Sequence, residues 1–277
     1  METKKMKKNI GVLCLLIIII ITSLITLGYS TYQIILWRKD NNKIDTQMEE
    51  VEEIVEIKEV PDGEKVELVN PTQNKKDPYW DYIKLNFIDV NFSELKSINS
   101  ETVGWIQVLG TNVNYPFVQT VDNKFYLTHQ LDKKYNTAGW VFMDYRNNAY
   151  DFNDNTIIYA HGRLNKTMFG SLRNVIKESW YKNKNNHIVK ISTESENSLW
   201  QVFSTYKIKT TSDYLQIDFL TDDERLNFYN MLKDRSVYDY KVNVMPDDKI
   251  ITLSTCHNDE EKIVLHAKLI KKEKKLN

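Results

Sequence analysis

The sequence contains little cysteine, glycine or proline. Of its 277 residues, two are cysteines, eight are glycines and five are prolines, which excludes collagen-like and low-complexity proteins. The formal net charge of −1 gives no reason to expect a nucleic-acid partner. With 42% hydrophobic residues, the chain has the composition of one sizeable globular domain with an accessory segment.

A long uncharged segment follows a cluster of lysines at the N-terminus. Residues 9–37 carry no charge and residues 10–27 are mostly Ile and Leu, and about twenty apolar residues can cross a bilayer as a helix. No clear small-x-small cleavage site comes after this segment, so we predict an uncleaved signal-anchor rather than a signal peptide or a buried soluble helix. The flanking charges orient the N-terminus toward the cytoplasm. We therefore predict a cytoplasmic tail at 1–9, a transmembrane helix at 10–37 and an extracellular remainder.

Residues 38–77 are predicted to form an extracellular stalk. A glutamate-rich stretch at 48–59 has apolar residues at helical spacing, which allows a short amphipathic helix. Prolines at 61 and 71 and a glycine at 63 interrupt the remainder of the stalk. The main folded domain is then expected at 78–277.

Apolar periodicity predicts the secondary structure of this domain. Helices are expected at 78–98, 166–177 and 221–235, the last with Thr221 and Glu224 as a capping box, and about one helical turn at 122–130. Strands are expected at 105–108, 113–118, 139–145, 156–160, 188–191, 199–209, 241–244, 249–255 and 263–270. Many short strands with a few helices between them predict a mainly β domain with α insertions, closed or nearly closed as a β-barrel.

Cys256 directly follows the predicted strand at 249–255. The other cysteine, Cys14, lies in the apolar N-terminal segment, so Cys256 has no disulfide partner in the folded domain. A thiol at the exposed end of a strand can meet a substrate, whereas a small buried hydrophobe is the alternative role. A lone cysteine in an extracellular domain of about 200 residues, which needs no disulfide for stability, favours the nucleophile.

A cysteine nucleophile needs a histidine close to it in space. His161 follows the predicted strand at 156–160 and therefore mirrors Cys256, since both lie at the end of a strand beside a loop. His257 is adjacent in sequence and would point to the opposite face. Of the remaining histidines, His129 stays possible, His187 is expected to be solvated, and His266 is expected to be a packed strand residue.

Motifs for other kinds of chemistry are not found. The sequence has no CxxC or HxxxH spacing for a metal, no glycine-rich phosphate loop and no GxSxG elbow. We therefore expect no metal and no cofactor.

Several motifs resemble the sortases, and among them class B. They are TVGWIQVLGTNVNYPFVQ at 102–119, FMDYR at 142–146, YAHG at 159–162, MFGSL at 168–172 and TLSTC at 252–256. The resemblance runs in order from about residue 79 to the C-terminus, and the helical insertion predicted at 221–235 is also similar to class B.

The resemblance implies a membrane-anchored cysteine transpeptidase of Gram-positive bacteria, formally a cysteine peptidase, with an eight-stranded β-barrel. Cys256 would attack the threonine carbonyl of an NPxTN-like C-terminal sorting signal in a secreted protein and form a thioester. An amine of the peptidoglycan cross-bridge or of its lipid-linked precursor would resolve it. His161 would protonate the leaving amine and later accept a proton from the incoming one.

One position departs from the family pattern. The family carries an arginine at the start of the last strand, where this sequence has Lys262. Arginine can donate two hydrogen bonds to the substrate backbone and the developing oxyanion, whereas lysine offers one compact charge; losing an oxyanion donor costs about 10²–10³ in rate. Three outcomes stay open: Lys262 serves less well, another residue such as Arg163 takes part, or the enzyme is weak or specialised.

The resemblance also points to residues of a substrate groove. Ser254 lies two positions before Cys256 on the same face of its strand. Tyr214 and Leu215 match the segment that contacts the sorting signal in class B enzymes, and Leu127 is a candidate for the opposite wall. Core packing is the alternative role for each of them.

Two other functions remain open at this point. One is a cysteine hydrolase that releases its acyl group to water rather than to an amine. The other is a non-catalytic, wall-associated binding protein on a sortase scaffold, which the replacement of arginine by Lys262 makes conceivable.

Overall fold

The computed structural model describes the backbone of residues 2–255 and 261–275, with side chains from residue 10 onward. The predicted nucleophile, Cys256, lies outside the described residues. The chain divides into two compact units, Met1–Thr46 and Gln47–Asn277, which are described separately below.

The first unit is helical throughout its described part. Helix α1 runs from Glu2 to Ile54, so its last turns belong to the second unit. Its segment Ile10–Ile54 is long and apolar enough to cross a membrane, by length and composition, and it contains the predicted transmembrane stretch at 10–37. The short amphipathic helix expected from residue 48 onward is the end of α1 and not a separate element.

Most strands of the second unit form one sheet that closes on itself. In the described residues the strands are β1 (Ile57–Val60), β2 (Val66–Leu68), β3 (Phe87–Val90), β4 (Thr102–Val108), β5 (Asn114–Val118), β6 (Phe142–Met143), β7 (Asn155–Ala160), β8 (Ile188–Thr193), β9 (Glu196–Lys209), β10 (Ile250–Thr255) and β11 (Glu261–Lys274). The order β10-β7-β6-β5-β4-β8-β9-β11 returns to β10, because β10 also pairs with β11. The eight-stranded barrel predicted from the sequence is thereby confirmed.

Short helices occupy the connections between the strands. They are α2 (Tyr79–Tyr82), α3 (Ser93–Ile98), α4 (Glu178–Lys182) and α5 (Asp222–Asp234), with 3₁₀ turns at Phe125–Leu127, Gly170–Asn174 and Lys184–Asn186. The start of α5 agrees with the sequence, since the Thr221 side chain accepts the Glu224 N–H. The Glu224 carboxylate accepts the N–H of Leu220, one residue before the position that a complete capping box uses.

Three of the predicted elements are wrong. The helix expected at 78–98 is interrupted by β3, because its apolar residues pair with β1 rather than continue a helix. The helix expected at 166–177 is only a 3₁₀ turn, since Lys166 and Met168 adopt positive φ. The strand expected at 241–244 pairs with no described strand, and Lys241 bends the chain there with φ of 58°.

Part of the segment predicted as a stalk is paired with strands of the second unit. β1 pairs with β3, and β2 extends the sheet beyond β11. The ammonium of Lys271 is 0% exposed and lies 2.5 Å from a carboxylate oxygen of Asp62. It also donates to the carbonyls of Ile83 and Leu85. A buried cation of this kind needs its anionic partner, so residues around Asp62 contribute to the stability of the barrel unit.

We expect Asp62→Asn to lower the free energy of unfolding by about 1.5–3 kcal/mol, the usual range for a hydrogen bond to a charged group. The carbonyl partners of Lys271 would remain but its negative partner would be lost. Chemical denaturation of the full chain in detergent measures the change. Asp81→Asn is the matched control, because Asp81 pairs with Lys84 at the exposed surface and its loss should change little. Equal effects of the two substitutions would contradict the role given to Asp62.

Candidate active site

The parallel pair β7 and β10 brings together the two strand ends that precede His161 and Cys256. The register places Thr255 opposite Ala160. His161 follows Ala160, and position 256 follows Thr255. Paired strands lie about 4.8 Å apart, and both chains leave the sheet in the same direction. The sequence could suggest that each residue ends a strand, but only the pairing makes these two strand ends neighbours.

His161 has one ring nitrogen fixed by the backbone. Its Nε2 lies 2.8 Å from the carbonyl oxygen of Leu127. A carbonyl only accepts hydrogen bonds, so this contact assigns a proton to Nε2 of the ring. The backbone is fixed as well, since the His161 carbonyl accepts the N–H of Phe169 at 3.0 Å.

Arg173 holds the loop that follows His161. Its Nε donates to the Gly170 carbonyl and one Nη donates to the Arg163 carbonyl, both at 2.7 Å. A Cβ atom at Gly170 would lie 2.1 Å from the Arg163 carbonyl oxygen, so a glycine is required for this close approach. Arg173 is not among the residues predicted from the sequence, because its partners are backbone carbonyls that leave no pattern there.

Lys262 lies beside the same edge of the barrel. It is half-buried on β11, and the next residue, Ile263, donates its N–H to the Thr255 hydroxyl at 2.9 Å. Lys262 lines a groove of about 300 Å³ together with Thr255 and with Gly162, the residue after His161. Residue 262 is therefore near the ends of β7 and β10.

Two of the predicted substrate-contacting side chains contact each other. The hydroxyl of Tyr214 lies 2.9 Å from that of Ser254, and both residues are only 2% exposed. Leu215 is half-buried, and its carbonyl accepts a hydrogen bond from Arg146 at 3.1 Å. Leu127 is half-buried next to His161. The structure thus joins Tyr214 to Ser254 and Leu127 to His161, while their contacts with a substrate remain predictions.

Comparison with known proteins gives consistent matches. The sequence model of the sortase domain matches residues 106–270. Sortase B of Staphylococcus aureus is 37% identical over 184 residues, which cover 65% of this chain and 75% of that protein. The chain belongs to the sortase family, and within it to class B.

Further relatives support the assignment of this chain to class B of the sortases. Sortase B of Listeria monocytogenes is 31% identical over 187 residues, covering 65% of this chain and 74% of that protein. A structure of a Staphylococcus aureus sortase B–substrate complex superposes with a TM-score of 0.62 at 37% identity, covering 65% and 84% of the two chains. A Bacillus anthracis protein similar to sortase B gives 0.60 at 38% identity, covering 65% and 82%.

The other histidines in the described part of this sortase, His129, His187 and His266, contact neighbouring residues. His266 is fully buried and bonds to the hydroxyls of Tyr206 and Thr252, each at 2.9 Å, so its prediction as a packed residue is confirmed. The expectation that His187 is solvated is wrong: it is 7% exposed, stacks on Tyr181, and burial lowers its pKa. The sequence misled because the polar residues before His187 form a turn, whereas its ring packs against Trp180, Tyr181 and Tyr240.

His129 is engaged within its own turn. Its ring stacks on Phe125 with centroids 4.0 Å apart, and its Nδ1 lies 2.8 Å from the Phe125 carbonyl oxygen. These contacts orient the ring toward Phe125, so we favour His161 as the partner of Cys256. Within the described residues, no group of three His, Cys, Asp or Glu side chains is arranged to hold a metal.

Burial of His266 predicts an acid-sensitive stability. Burial lowers the pKa of His266 from 6.5 to about 3, so the unfolded chain binds a proton that the folded protein excludes. The contribution of His266 to the free energy of unfolding therefore falls as the pH drops from about 6.5 toward 3, by at most about 1.4 kcal/mol per pH unit. We expect the unfolding free energy of His266→Gln to fall less than that of the wild type between pH 7.5 and 4.5. Parallel curves would show that His266 is not responsible.

Proposed function

We propose that this sortase is a membrane-anchored cysteine transpeptidase that cleaves an NPxTN-like sorting signal and transfers the acyl group to a cell-wall amine. The observation that carries the proposal is the parallel register of β7 and β10, in which Thr255 and Ala160 are paired immediately before Cys256 and His161. A nucleophile and its acid–base partner need this proximity. Membership of class B supplies the reaction class.

The proposed reaction has two acyl transfers. The Cys256 sulfur attacks the threonine carbonyl carbon, the C–N bond breaks, and the leaving amine takes a proton from His161. A thioester joins threonine to the enzyme. The incoming amine attacks the thioester carbonyl, loses a proton to His161, and releases the thiolate as the new C–N bond forms. The Nδ1 atom of His161 is the nitrogen that exchanges these protons, because Nε2 is bonded to the Leu127 carbonyl.

Lys262 is proposed to stabilise the oxyanion of both tetrahedral intermediates. Its place in the groove that also includes Thr255 and Gly162 puts a positive charge beside the strand ends where the carbonyl would react. A single ammonium provides this charge without the planar pair of donors that arginine offers. Lysine in place of the family arginine therefore favours a slower enzyme over an enzyme with a different reaction. A non-catalytic protein on a sortase scaffold is the second candidate.

The sorting signal is proposed to lie across the face of β10 that carries Ser254. Leu215 and Leu127 would provide apolar walls, since both are partly exposed. Tyr214 covers Ser254 and bonds to it, so a peptide can reach Ser254 only if the Tyr214 side chain moves. Substrate binding is thus expected to include a movement of the segment that carries Tyr214.

The proposed location is the outer face of the cell membrane. The apolar segment at 10–37 would anchor the protein, with residues 1–9 in the cytoplasm and the domain at 78–277 outside. The intervening residues, 38–77, would hold the domain near the membrane, although 57–68 also pair with its strands. The partners are secreted proteins with a sorting signal and an amine of peptidoglycan or of its lipid-linked precursor.

Cys256→Ala is expected to abolish cleavage of an NPxTN-type peptide, because the acyl acceptor is removed. Peptide cleavage by the full chain, followed by chromatography with and without added triglycine, measures it and separates transfer from hydrolysis. Cys14→Ala is the matched control, since that thiol lies in the predicted anchor, and it should retain activity. Turnover by Cys256→Ala would reject the mechanism, and hydrolysis that added amine does not divert would favour the hydrolase.

Lys262→Arg is expected to give equal or higher kcat/KM, because arginine adds a second donor toward the carbonyl oxygen. Lys262→Gln should lower kcat/KM by about 10²–10³-fold, the usual loss for an oxyanion donor. Lys207→Gln is the control, because Lys207 lines the same groove and its ammonium contacts Glu261, so this substitution should change kcat/KM little. A large loss in Lys262→Arg would mean that the site is specialised for lysine.

A further inference from the structure

We infer that Gly139 is a positioning residue for His161 and acts through the backbone carbonyl of Leu127. The inference rests on the proposed function in one respect only, namely that the proton-transferring nitrogen of His161 matters for the reaction. The structural part concerns which imidazole nitrogen carries the proton, and it can be tested without any substrate.

The Leu127 carbonyl belongs to a short turn. Leu127 is the last residue of the 3₁₀ turn Phe125–Leu127, and its carbonyl oxygen lies 2.8 Å from Nε2 of His161. The two residues are 34 positions apart, so nothing local in the sequence fixes their contact. The direction of this one carbonyl decides whether the imidazole keeps its proton on Nε2.

Gly139 lies directly against that turn. It adopts φ of +62°, and a Cβ atom there would be 2.4 Å from the Tyr126 carbonyl oxygen and 2.9 Å from that of Leu127. Both atoms belong to the backbone, so neither can move aside as a flexible side chain would. The next residue, Trp140, donates its N–H to the Tyr126 carbonyl at 2.9 Å. Any side chain at position 139 must therefore displace the turn or the segment that contacts it.

The hydrogen bonds and burial of the residues around Gly139 indicate which backbone group would move. Tyr126 and Trp140 are each 1% exposed. The Tyr126 hydroxyl bonds to Glu101 and Asn99, and the Trp140 indole donates to the Pro116 carbonyl at 2.9 Å. Leu127 is only half-buried. We therefore expect a methyl group at position 139 to displace the Leu127 carbonyl from its contact with His161, because the buried side chains of Tyr126 and Trp140 are held by their own hydrogen bonds.

Loss of the Leu127 acceptor has a specific chemical consequence. The neutral imidazole would no longer favour the tautomer protonated at Nε2, and the form protonated at Nδ1 would become populated. In that form the nitrogen proposed to exchange protons with the substrate is already occupied. Catalysis would fall although every side chain of the site remained in place. A displacement of about 1 Å can cost about 10²-fold in rate.

The test compares Gly139→Ala with the wild type, both as the full chain in detergent with ¹⁵N-labelled histidine. His161→Gln assigns the His161 signals. In the wild type, the ¹⁵N shifts of neutral His161 should report protonation at Nε2, and in Gly139→Ala they should move toward the Nδ1-protonated tautomer. The kcat for the sorting peptide should fall about 10²-fold, while KM should change by less than about threefold.

Gly110→Ala is the matched control for backbone strain. Gly110 has a similar φ of +72°, but a Cβ atom there would meet the side chain of Asn186 instead of a backbone carbonyl. Each alanine should lower the stability by a similar amount through its positive φ. Only Gly139→Ala should change the tautomer of His161 and kcat. Gly139→Asn is a second variant, since asparagine tolerates positive φ better but still carries the Cβ atom, and it should keep the catalytic loss.

The outcomes separate this inference from the proposed function. An Nδ1-protonated His161 in the wild type would overturn the inference even if no variant folds. An unchanged tautomer and kcat in Gly139→Ala, with a stability loss like that of Gly110→Ala, would also overturn it. If no peptide is cleaved by the wild type, the proposed function fails, whereas a tautomer change confined to position 139 still supports the positioning role.

Discussion

The parallel pairing of β7 with β10 is the interaction on which the rest of the site depends. These strands are separated by almost a hundred residues, and their register places Ala160 beside Thr255. Parallel strands end at the same edge of a sheet, so Ala160 and Thr255, the residues before His161 and Cys256, lie side by side without any local sequence signal. β10 also pairs with β11, and this second pairing closes the barrel. Lys262, which is on β11, is brought to the same edge.

Ion pairs connect the segment that follows α1 to the strands of this barrel. Lys271 holds Asp62 and two backbone carbonyls while fully buried, and Lys190 pairs with Glu59 at 2.8 Å. Lysines on the barrel strands therefore meet acidic residues of the segment that follows α1. A buried ammonium is costly unless it is paired, which makes this attachment part of the folded unit and connects the chain after α1 to the barrel.

The surroundings of His161 show how backbone groups prepare a site for chemistry. Leu127 provides the carbonyl that holds the imidazole, Gly139 allows that carbonyl its position, and Arg173 holds the following loop. None of these contacts involves a side-chain carboxylate, unlike the arrangement of a Ser-His-Asp triad. Main-chain groups therefore contribute to the orientation of the proposed acid–base residue.

The sequence by itself determined the strands of the barrel, the capped helix α5 and the residue types at two strand ends, because period-two alternation and capping are local properties. Only the tertiary structure decided that residues 87–90 form a strand, that His187 is buried, and that Tyr214 bonds to Ser254. Each of these depends on a partner distant in the chain. Local periodicity records which face of a segment is apolar, whereas the identity of the group that covers that face is set by long-range packing.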